Sequence, residues 1–381
     1  MANIIYRHYK PGDEKMLAEL FNIAFQQNGA GTVRTPKNWI WRYPQSPGFE
    51  PEMCQIAEDV NNNQIVGAVY ANLIEEMPFG NKKYLVGDIN DVTCHPDYTR
   101  RGIATKLLEL SIAYMKKKGC KFSILSTGIK GNARKYIYKK MGFIDLVTEN
   151  TFLQFPNIFQ FIKNLYGFSL FILALFIFSY LPRFLNRIKI KLNNFFKNIT
   201  YEIVFNKDHF VYMKAANKLI PKCYDGYPGY NKTKFIWSRI KVPSKRNKPT
   251  YILMKKEQNI IGGAVITHQN VYAFNLGIKI KMGIIHEIFL DRDKFMNRVD
   301  LNLGHVYLID KILKAATRRF IGLLIYRSPL RDYNFNRAFR SMNFIRLKEE
   351  VIMVKELIPN LKFPQFKKPL FIPTYVSIGY P

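Results

Sequence analysis

Residues 95–108 read HPDYTRRGIATKLL and join a run of β-compatible residues to a run with helical spacing. The first run extends from Val86 to Cys94, and the second repeats its apolar residues at intervals close to one helical turn. Gly102, at the junction, lets the backbone approach a ligand closely. Because the free amides at a helix start attract anions, and phosphate is the usual one, the junction predicts a site for a phosphorylated ligand.

Length and composition limit the class of protein. The chain has 381 residues, enough for two or three domains, and its hydrophobic content of 48% supports buried cores. The four cysteines and six histidines show no metal-ligand spacing, so we expect neither a metal site nor a disulfide framework. The N-terminus contains no apolar segment typical of a secretory signal. These features together predict a cytoplasmic location.

The net charge of +30 is unevenly distributed. Residues 1–150 hold 20 Lys and Arg against 15 Asp and Glu, a charge of +5, whereas residues 151–381 hold 38 against 13, a charge of +25. A basic second half is typical of proteins with an anionic partner such as membrane lipid, nucleic acid or an acidic substrate. A general compositional bias toward lysine would produce the same excess.

Three short matches recur along the chain in the same order. Trp41 in NWIWR and Trp237 in KFIWSR are each followed, 26 positions later, by GAVY and GAVI, an offset of 196 in both cases. MGFIDL (141–146) returns as MNFIRL (342–347), an offset of 201. Matches in constant order at a nearly constant offset predict a duplicated unit of roughly 150 residues.

Each copy is predicted to be mixed α/β. In the first copy the predicted strands are Ile4–Tyr9, Cys54–Glu58, Ile65–Leu73, Lys83–Cys94 and Lys121–Ser126, and the helices are Glu14–Phe25, Thr105–Lys118 and Ala133–Met141. We divide the chain into a first copy (1–150), a hydrophobic and basic linker (151–200), a second copy (201–357) and a proline-rich tail (358–381). Because prolines interrupt the tail, we expect an extended strap across the second copy.

The linker differs in composition from both copies. Residues 151–200 contain 11 phenylalanines and no Asp or Glu, and residues 164–182 carry no charge. The most apolar part, FSLFILALFIFSYL (168–181), has 14 residues, so as a helix it reaches about 21 Å, short of a hydrocarbon core of about 30 Å. It is followed by apolar residues at helical spacing over 184–199, with Arg183, Arg187 and Lys191 on the other side.

A very apolar helix beside a basic amphipathic helix predicts association with a membrane surface, on its cytoplasmic face. Two alternatives remain. The helices could form a hydrophobic spacer packed on the two copies, or residues 164–182 could span the bilayer once, which would separate copies that are expected to pack together.

Residues 88–143 resemble the GNAT (Gcn5-related) N-acetyltransferases, and the resemblance extends over most of residues 3–146. Thr99 to Ala104 is similar to the acyl-CoA signature R/Q-x-x-G-x-G/A, with Thr99 in place of Arg or Gln and with Gly102 and Ala104 matching. YKKMGF (138–143) is similar to the family's Y-x-K-x-G-F. The resemblance implies a duplicated GNAT acyl-CoA N-acyltransferase fold, with the linker as a helical insertion, and an acetyl-CoA-dependent N-acetyltransferase without a metal.

The resemblance also implies roles for individual residues. Backbone groups of Val92 and Cys94 would hold the pantetheine arm of acetyl-CoA, with Asn132 as a further contact. The backbone amides that would hold the pyrophosphate belong to Arg100, Arg101, Gly102, Ile103, Ala104 and Thr105. Tyr138 occupies the position of the family's general acid for the thiolate. Asp88 corresponds to the general-base glutamate of the histone-acetyltransferase branch, Asp91 is the second candidate, and deprotonation through water is the alternative.

The second copy lacks the residues that would carry this chemistry. Tyr138 aligns with Phe339, and Gly142 aligns with Asn343. The stretch DRDKFMNRVDLNLGHVY (291–307), where the phosphate loop should follow the strand, contains one glycine, Gly304, and no phosphate signature. We therefore expect a degenerate copy that shapes the substrate site or docks a partner.

Two hypotheses about function remain open. The first is an N-acetyltransferase that acts on a primary amine by direct transfer, and acidic residues on the central strands (Glu75, Glu76, Asp88, Asp91) predict a cationic acceptor. The linker adds the alternative of an amine on a lipid or cell-envelope precursor. The second hypothesis is a non-catalytic acyl-CoA-fold protein that binds at the membrane surface. Nucleic acid is the weaker partner, because the apolar residues of 151–181 suit lipid better.

Overall fold

The computed structural model describes residues 3–26, 30–31, 33–158, 160, 170–204, 209–243, 249–273 and 278–371. The strands are β1 (Ile4–His8), β2 (Ala30–Gly31), β3 (Cys54–Asp59), β4 (Gln64–Phe79), β5 (Lys82–Cys94), β6 (Phe122–Gly128), β7 (Ile144–Gln154), β8 (Ile199–Val204), β9 (Thr250–Lys256), β10 (Asn259–Ala273), β11 (Ile278–Leu290), β12 (Leu323–Pro329) and β13 (Ile345–Glu356).

The helices are α1 (Glu14–Gln26), α2 (Pro36–Arg42), α3 (Ile103–Lys117), α4 (Leu170–Leu192), α5 (His209–Cys223), α6 (Lys232–Phe235), α7 (Arg298–Arg318) and α8 (Tyr333–Ser341). Two π-helical turns, Arg134–Tyr138 and Ile236–Ile240, add to them. Short 3₁₀ turns occur at Pro51–Met53, Pro96–Tyr98, Asn194–Asn198 and Arg292–Lys294.

One continuous sheet contains all of these strands, in the order β1-β3-β4-β5-β6-β13-β7-β12-β11-β10-β9-β8, with β2 paired to β10. The strand that ends the second copy, β13, lies between β6 and β7 of the first copy. Strand β7, which ends the first copy, pairs with β12 of the second copy. Each copy therefore completes the sheet of the other.

The two tryptophans that revealed the repeat meet each other. Trp41 Nε1 donates to the Trp237 carbonyl oxygen at 3.2 Å, and Trp237 Nε1 donates to the Trp41 carbonyl oxygen at 2.7 Å. Their rings stack with centroids 5.5 Å apart. Such a reciprocal contact is what a pseudo-twofold axis between two copies produces.

Helices cover the sheet and enclose separate cores. In the first copy α3 buries Leu107, Leu108 and Met115 against the central strands. In the second copy the longer α7 buries Ile309 and Leu313 in an equivalent position. The strands β5 and β11 carry apolar residues on both faces because both faces are covered. On β5 one face packs against α3 and the other against the tail. On β11 one face packs against α7 and the other against α5.

The linker differs from the sequence expectation. The two predicted helices are one helix, α4, which continues through Pro182, and the predicted helical stripe beyond Leu192 is instead a 3₁₀ turn followed by β8. Residues 161–169, which include part of the predicted apolar helix, lie outside the described residues. Among the helices described, none combines the length and the apolar character needed to cross a membrane.

The described part of the tail, residues 358–371, lies across both copies and not across the second alone. Phe363 contacts the rings of Phe79 and Phe122 in the first copy. Farther along, Leu370 forms a bridge with Asp225, and Phe371 packs on Tyr227 of the second copy. The remainder of the tail, 372–381, lies outside the described residues.

Candidate active site

A cleft opens in the first copy where β5 and β6 separate. These parallel strands pair only over Val86–Ile89 and Phe122–Leu125, although both continue for several residues. At Asp91 the backbone is left-handed (φ 47°), and the register between β4 and β5 is irregular in this region. Such a bulge bends the strand away from its neighbour. The resulting cleft of about 420 Å³ is lined by residues of both strands, by Tyr138 and by side chains from the second copy.

The loop before α3 leaves the start of the helix without a side-chain cap. Arg100 and Gly102 both have left-handed backbones (φ 62° and 78°), and Gly102 is the N-cap of α3 without any side-chain cap. The amides of the first helical turn therefore remain available to an external acceptor. Arg101 braces the loop, because its Nη2 donates to the Asp97 carbonyl oxygen at 3.1 Å and its guanidinium lies 4.9 Å from the Tyr98 ring centroid.

Tyr138 ends the π-helical turn and lines the cleft. It is 6% exposed, and its ring packs edge-on against Phe143. Burial raises the pKa of Tyr138 to about 12, so the phenol stays protonated at neutral pH. A protonated hydroxyl that faces a cleft can donate a proton or a hydrogen bond to a reacting group.

Asp88 lines the same cleft from β5. Burial raises its pKa to about 7, although a hydrogen bond from Asn90 Nδ2 to its Oδ2, 3.0 Å long, opposes the rise. Among the described residues no Lys or Arg forms an ion pair with it. A carboxylate with this pKa can accept a proton near neutral pH.

Asp91 is held in an ion-pair network. Its carboxylate contacts Arg34 and the Tyr43 hydroxyl, and it lies 3.4 Å from Arg42 Nε. Burial would raise its pKa, but the positive charges of Arg34 and Arg42 outweigh burial and lower it to about 2. Because the Oδ2 atom of Asp91 already accepts hydrogen bonds and two arginines hold the charge, the geometry favours Asp88 over Asp91 as a proton acceptor.

The other residues named from the sequence surround this site. Val92 lines the cleft, and Cys94 is the last residue of β5. Asn132 is exposed, beside Ala133, which lines the cleft. Thr105 lines a neighbouring groove of about 480 Å³ that runs between α3 and the π turn. Burial raises the pKa of the Cys94 thiol, which disfavours a thiolate nucleophile there.

Sequence reasoning missed the side chains that the second copy places in the cleft. Arg327 of β12 donates from Nη2 to Ser126 Oγ and to Glu149 Oε2, both at 2.6 Å, and lies 2.5 Å from Glu350 Oε2. Arg327 and Glu350 both line the cleft. The available signal was an arginine inside the apolar strand LLIYRSP, because a charge in a buried strand requires a partner.

The acidic character expected of the central strands is largely neutralised. Glu75 forms an ion pair with Lys234 of the second copy, and Glu76 lies 3.5 Å from Lys83. Asp91 is paired as described. Of the four acidic residues, Asp88 therefore faces the cleft without a cationic partner among the described residues.

In the part of the chain that the structure describes, the corresponding region of the second copy lacks the polar groups of the cleft. The β11–β12 pairing covers an equivalent four residues, Met282–Ile285, but Ile284 occupies the position of Asp88. The α7 N-terminus is capped by Asn297, whose Oδ1 accepts from the Asp300 amide at 2.9 Å, and Asp300 adds a negative charge there. Phe339 lies fully buried in place of Tyr138. The described residues contain no cluster of potential metal ligands.

Part of the chain matches a known domain family. Residues 5–144 match the family model for the acetyltransferase (GNAT) domain. A search of curated proteins by sequence gives no match.

Solved structures with a similar fold align over most of this chain. The structure of Saccharomyces cerevisiae N-myristoyltransferase with bound myristoyl-CoA aligns with a TM-score of 0.68 over 93% of this chain and 79% of that chain, at 11% identity. A GCN5-related N-acetyltransferase from Sphaerobacter thermophilus aligns at a TM-score of 0.60 over 94% and 98%, also at 11% identity. One from Anabaena variabilis gives 0.56 over 93% and 73%, at 12% identity. These likenesses confirm the predicted duplicated α/β GNAT fold.

Proposed function

We propose that this chain, whose residues 5–144 match the acetyltransferase (GNAT) domain model, is an acyl-CoA-dependent N-acyltransferase with one catalytic site, and that acetyl is its acyl group. One observation carries the proposal. The cleft between β5 and β6 is lined by a protonated tyrosine and by a carboxyl group of pKa about 7, beside the unpaired edge of β5, and the uncapped start of α3 follows β5 along the chain.

Acyl-CoA binding would use the backbone. The amides from Arg100 to Thr105 would hold the pyrophosphate at the start of α3, where the helix dipole favours negative charge. The edge of β5 beyond Ile89, including Val92 and Cys94, would hydrogen-bond the pantetheine arm as an added strand does. Asn132 is a further contact in this proposal.

Transfer would proceed directly from thioester to amine. Asp88 would take a proton from the acceptor ammonium, directly or through water, and the free amine would attack the thioester carbonyl carbon. As the tetrahedral intermediate collapses, the C–S bond breaks, and Tyr138 would donate its proton to the departing CoA thiolate. The nitrogen of the adduct loses one of its two protons to solvent and keeps the other as the amide N–H. Asp88 then releases its proton to solvent, and solvent reprotonates Tyr138.

The acceptor is proposed to be a primary amine that enters as a cation. Asp88 supports this proposal, because it presents a carboxylate without a cationic partner to the cleft. Phe363, Leu370 and Phe371 line the same cleft, so the acceptor would also contact apolar surface from the tail. The second copy, 201–357, would act as a non-catalytic unit that supplies Arg327 and Glu350 to this wall.

The test is release of CoA from acetyl-CoA and longer acyl-CoAs in the presence of a panel of amines, with the Tyr138→Phe variant beside the wild type. We expect kcat to fall by about 10²–10⁴-fold in Tyr138→Phe while the affinity for acyl-CoA is unchanged. Tyr333→Phe, at an exposed tyrosine of the second copy, is the matched control.

Binding of acyl-CoA without turnover by any amine would instead support the non-catalytic alternative. Preference for a long acyl chain would overturn the choice of acetyl, and preference for anionic acceptors would overturn the choice of a cationic amine.

A further inference from the structure

The solvent-facing side of α4 is apolar. Its exposed large hydrophobic side chains are between 40% and 78% exposed: Ile177, Phe178, Leu181, Phe184, Leu185, Ile188 and Leu192. At 3.6 residues per turn they fall within an arc of about 120°. Contiguous exposed apolar surface of this kind on a folded protein marks an interaction site. We call these residues the apolar stripe.

The opposite side of α4 is fixed to the second copy. Ile190 is buried in its core, and Asn186 Nδ2 donates to the Ser341 carbonyl oxygen at 3.0 Å. Arg187 Nε lies 2.9 Å from Asp310 Oδ1 of α7. The orientation of the helix is therefore set by packing, and the stripe faces outward because the other side is occupied.

Along one flank of the stripe, α4 and α7 form a basic cleft of about 720 Å³. Within the described residues its lining contains seven Lys and Arg residues and one carboxylate, that of Asp310. Lys311 and Lys314 lie beside the Tyr201 ring, and a hydrogen bond and the positive charge of Lys314 lower the pKa of this tyrosine. The cleft thus has a strongly positive potential.

Arg183 lies in this cleft and is 4% exposed. Its guanidinium carbon lies 5.1 Å from the Tyr180 ring centroid, but its Nε and Nη1 have no hydrogen-bond partner among the described residues. A buried cation with unpaired donors costs free energy unless an anion compensates it. The position of Arg183 therefore points to an anionic ligand.

We propose that the apolar stripe and the basic cleft together form a docking surface for a bilayer that contains anionic phospholipid. The headgroup phosphate occupies the cleft beside Arg183, and the stripe lies in the boundary between headgroups and acyl chains. Nucleic acid would use the cations but leave the stripe in water. The surface is independent of the catalytic cleft, so it stands whether or not the chain transfers acyl groups.

The test is co-flotation of the full chain with phosphatidylcholine vesicles that contain or lack phosphatidylglycerol, at constant ionic strength. We expect binding to the anionic vesicles only. Two variants alter exposed residues alone: Lys191→Glu/Arg318→Glu changes the cleft, and Phe184→Ser/Leu192→Ser changes the stripe. Each should weaken binding by at least about tenfold.

Lys15→Glu/Lys117→Glu is the control, because it makes the same change of net charge at exposed sites in the first copy. Arg183→Met should fold, because Asp310 keeps its ion pair with Arg187, and should lose the preference for anionic lipid. Equal binding by all variants would overturn the proposal. A second result would also overturn it: the stripe variant binds vesicles like the wild type, and millimolar inorganic phosphate releases the protein from them. The cleft would then be a site for soluble phosphate and not for a lipid headgroup.

Discussion

Two aspartates three positions apart on β5 differ in what the fold does with their charge. Burial raises the pKa of Asp88 to about 7, so the folded state disfavours its ionised form. Burial also opposes ionisation of Asp91, but Arg34 and Arg42 overcome it and lower the pKa to about 2. The first aspartate is available for proton transfer, whereas the second holds α2 and its preceding loop against the strand.

Asparagine substitution should therefore have opposite effects at the two positions. Asp91→Asn leaves Arg34 buried without its counter-charge and should lower the free energy of unfolding by about 3–5 kcal/mol. The contribution of Asp91 exists above its unfolded pKa and is lost as the pH falls through about 2.

Asp88→Asn should be stabilising above pH about 7 and lose that advantage as the pH falls below it, because the wild-type carboxyl then becomes protonated in the folded state. Denaturant titration at several pH values measures both effects. In wild type kcat/KM should rise with pH through about 7, and this limb should disappear in Asp88→Asn. If kcat/KM of Asp88→Asn still rises with pH through about 7, the group that takes the proton from the amine is water or another residue.

The start and the end of α3 each carry a left-handed glycine, and only one of them faces the proposed ligand. Gly102 has φ 78° and Gly119 has φ 82°, and around both an added Cβ would meet open space. Each position disfavours alanine through backbone strain alone, by about 1–2 kcal/mol. Alanine substitutions at the two glycines should therefore lower the stability of the protein equally, but only the substitution at Gly102 should change the binding of acetyl-CoA.

We expect Gly102→Ala to weaken acetyl-CoA binding by at least about tenfold, because the strained loop no longer directs its amides toward the pyrophosphate. Gly119→Ala should lose the same stability and bind as the wild type does. Isothermal titration together with thermal unfolding separates the two effects. Equal affinity of the two variants would remove the loop before α3 from the proposed site.

Helices and strands of the first copy followed from local sequence. The predicted Glu14–Phe25 helix is α1 within one residue, and the predicted Lys83–Cys94 strand is β5. Local sequence did not predict that α4 would continue through Pro182, because packing on α7 holds the helix together there. Arg327 was missed for a similar reason, since its partners Glu149 and Ser126 come from the other copy.

Across the whole molecule, the strand exchange makes the copies inseparable. β13 supplies the partner of β6 next to the cleft, and β7 supplies the partner of β12. The sequence repeat predicted two copies, but no local sequence pattern predicts the order of the strands in the sheet. That choice depends on packing between distant segments, so the exchanged order could not be obtained from periodicity alone.

A chain divided at residue 165 should test this exchange. Residues 1–165 alone leave β6 and β7 with open edges, and exposed edges of this kind lead to aggregation. We expect each part to be insoluble when expressed alone and the two parts to form a soluble complex, with one acetyl-CoA site, when expressed together. A soluble, folded first part that binds acetyl-CoA by itself would show that β13 is dispensable.

The position of β13 also has a consequence for the synthesis of the protein on the ribosome. The residues that pair with β6 are synthesised about 220 residues after it. At usual rates of translation this interval lasts about 10–45 s. Throughout that time the nascent chain carries an incomplete cleft, so nascent chains should be early clients of chaperones, and premature termination anywhere before β13 should yield a product without activity.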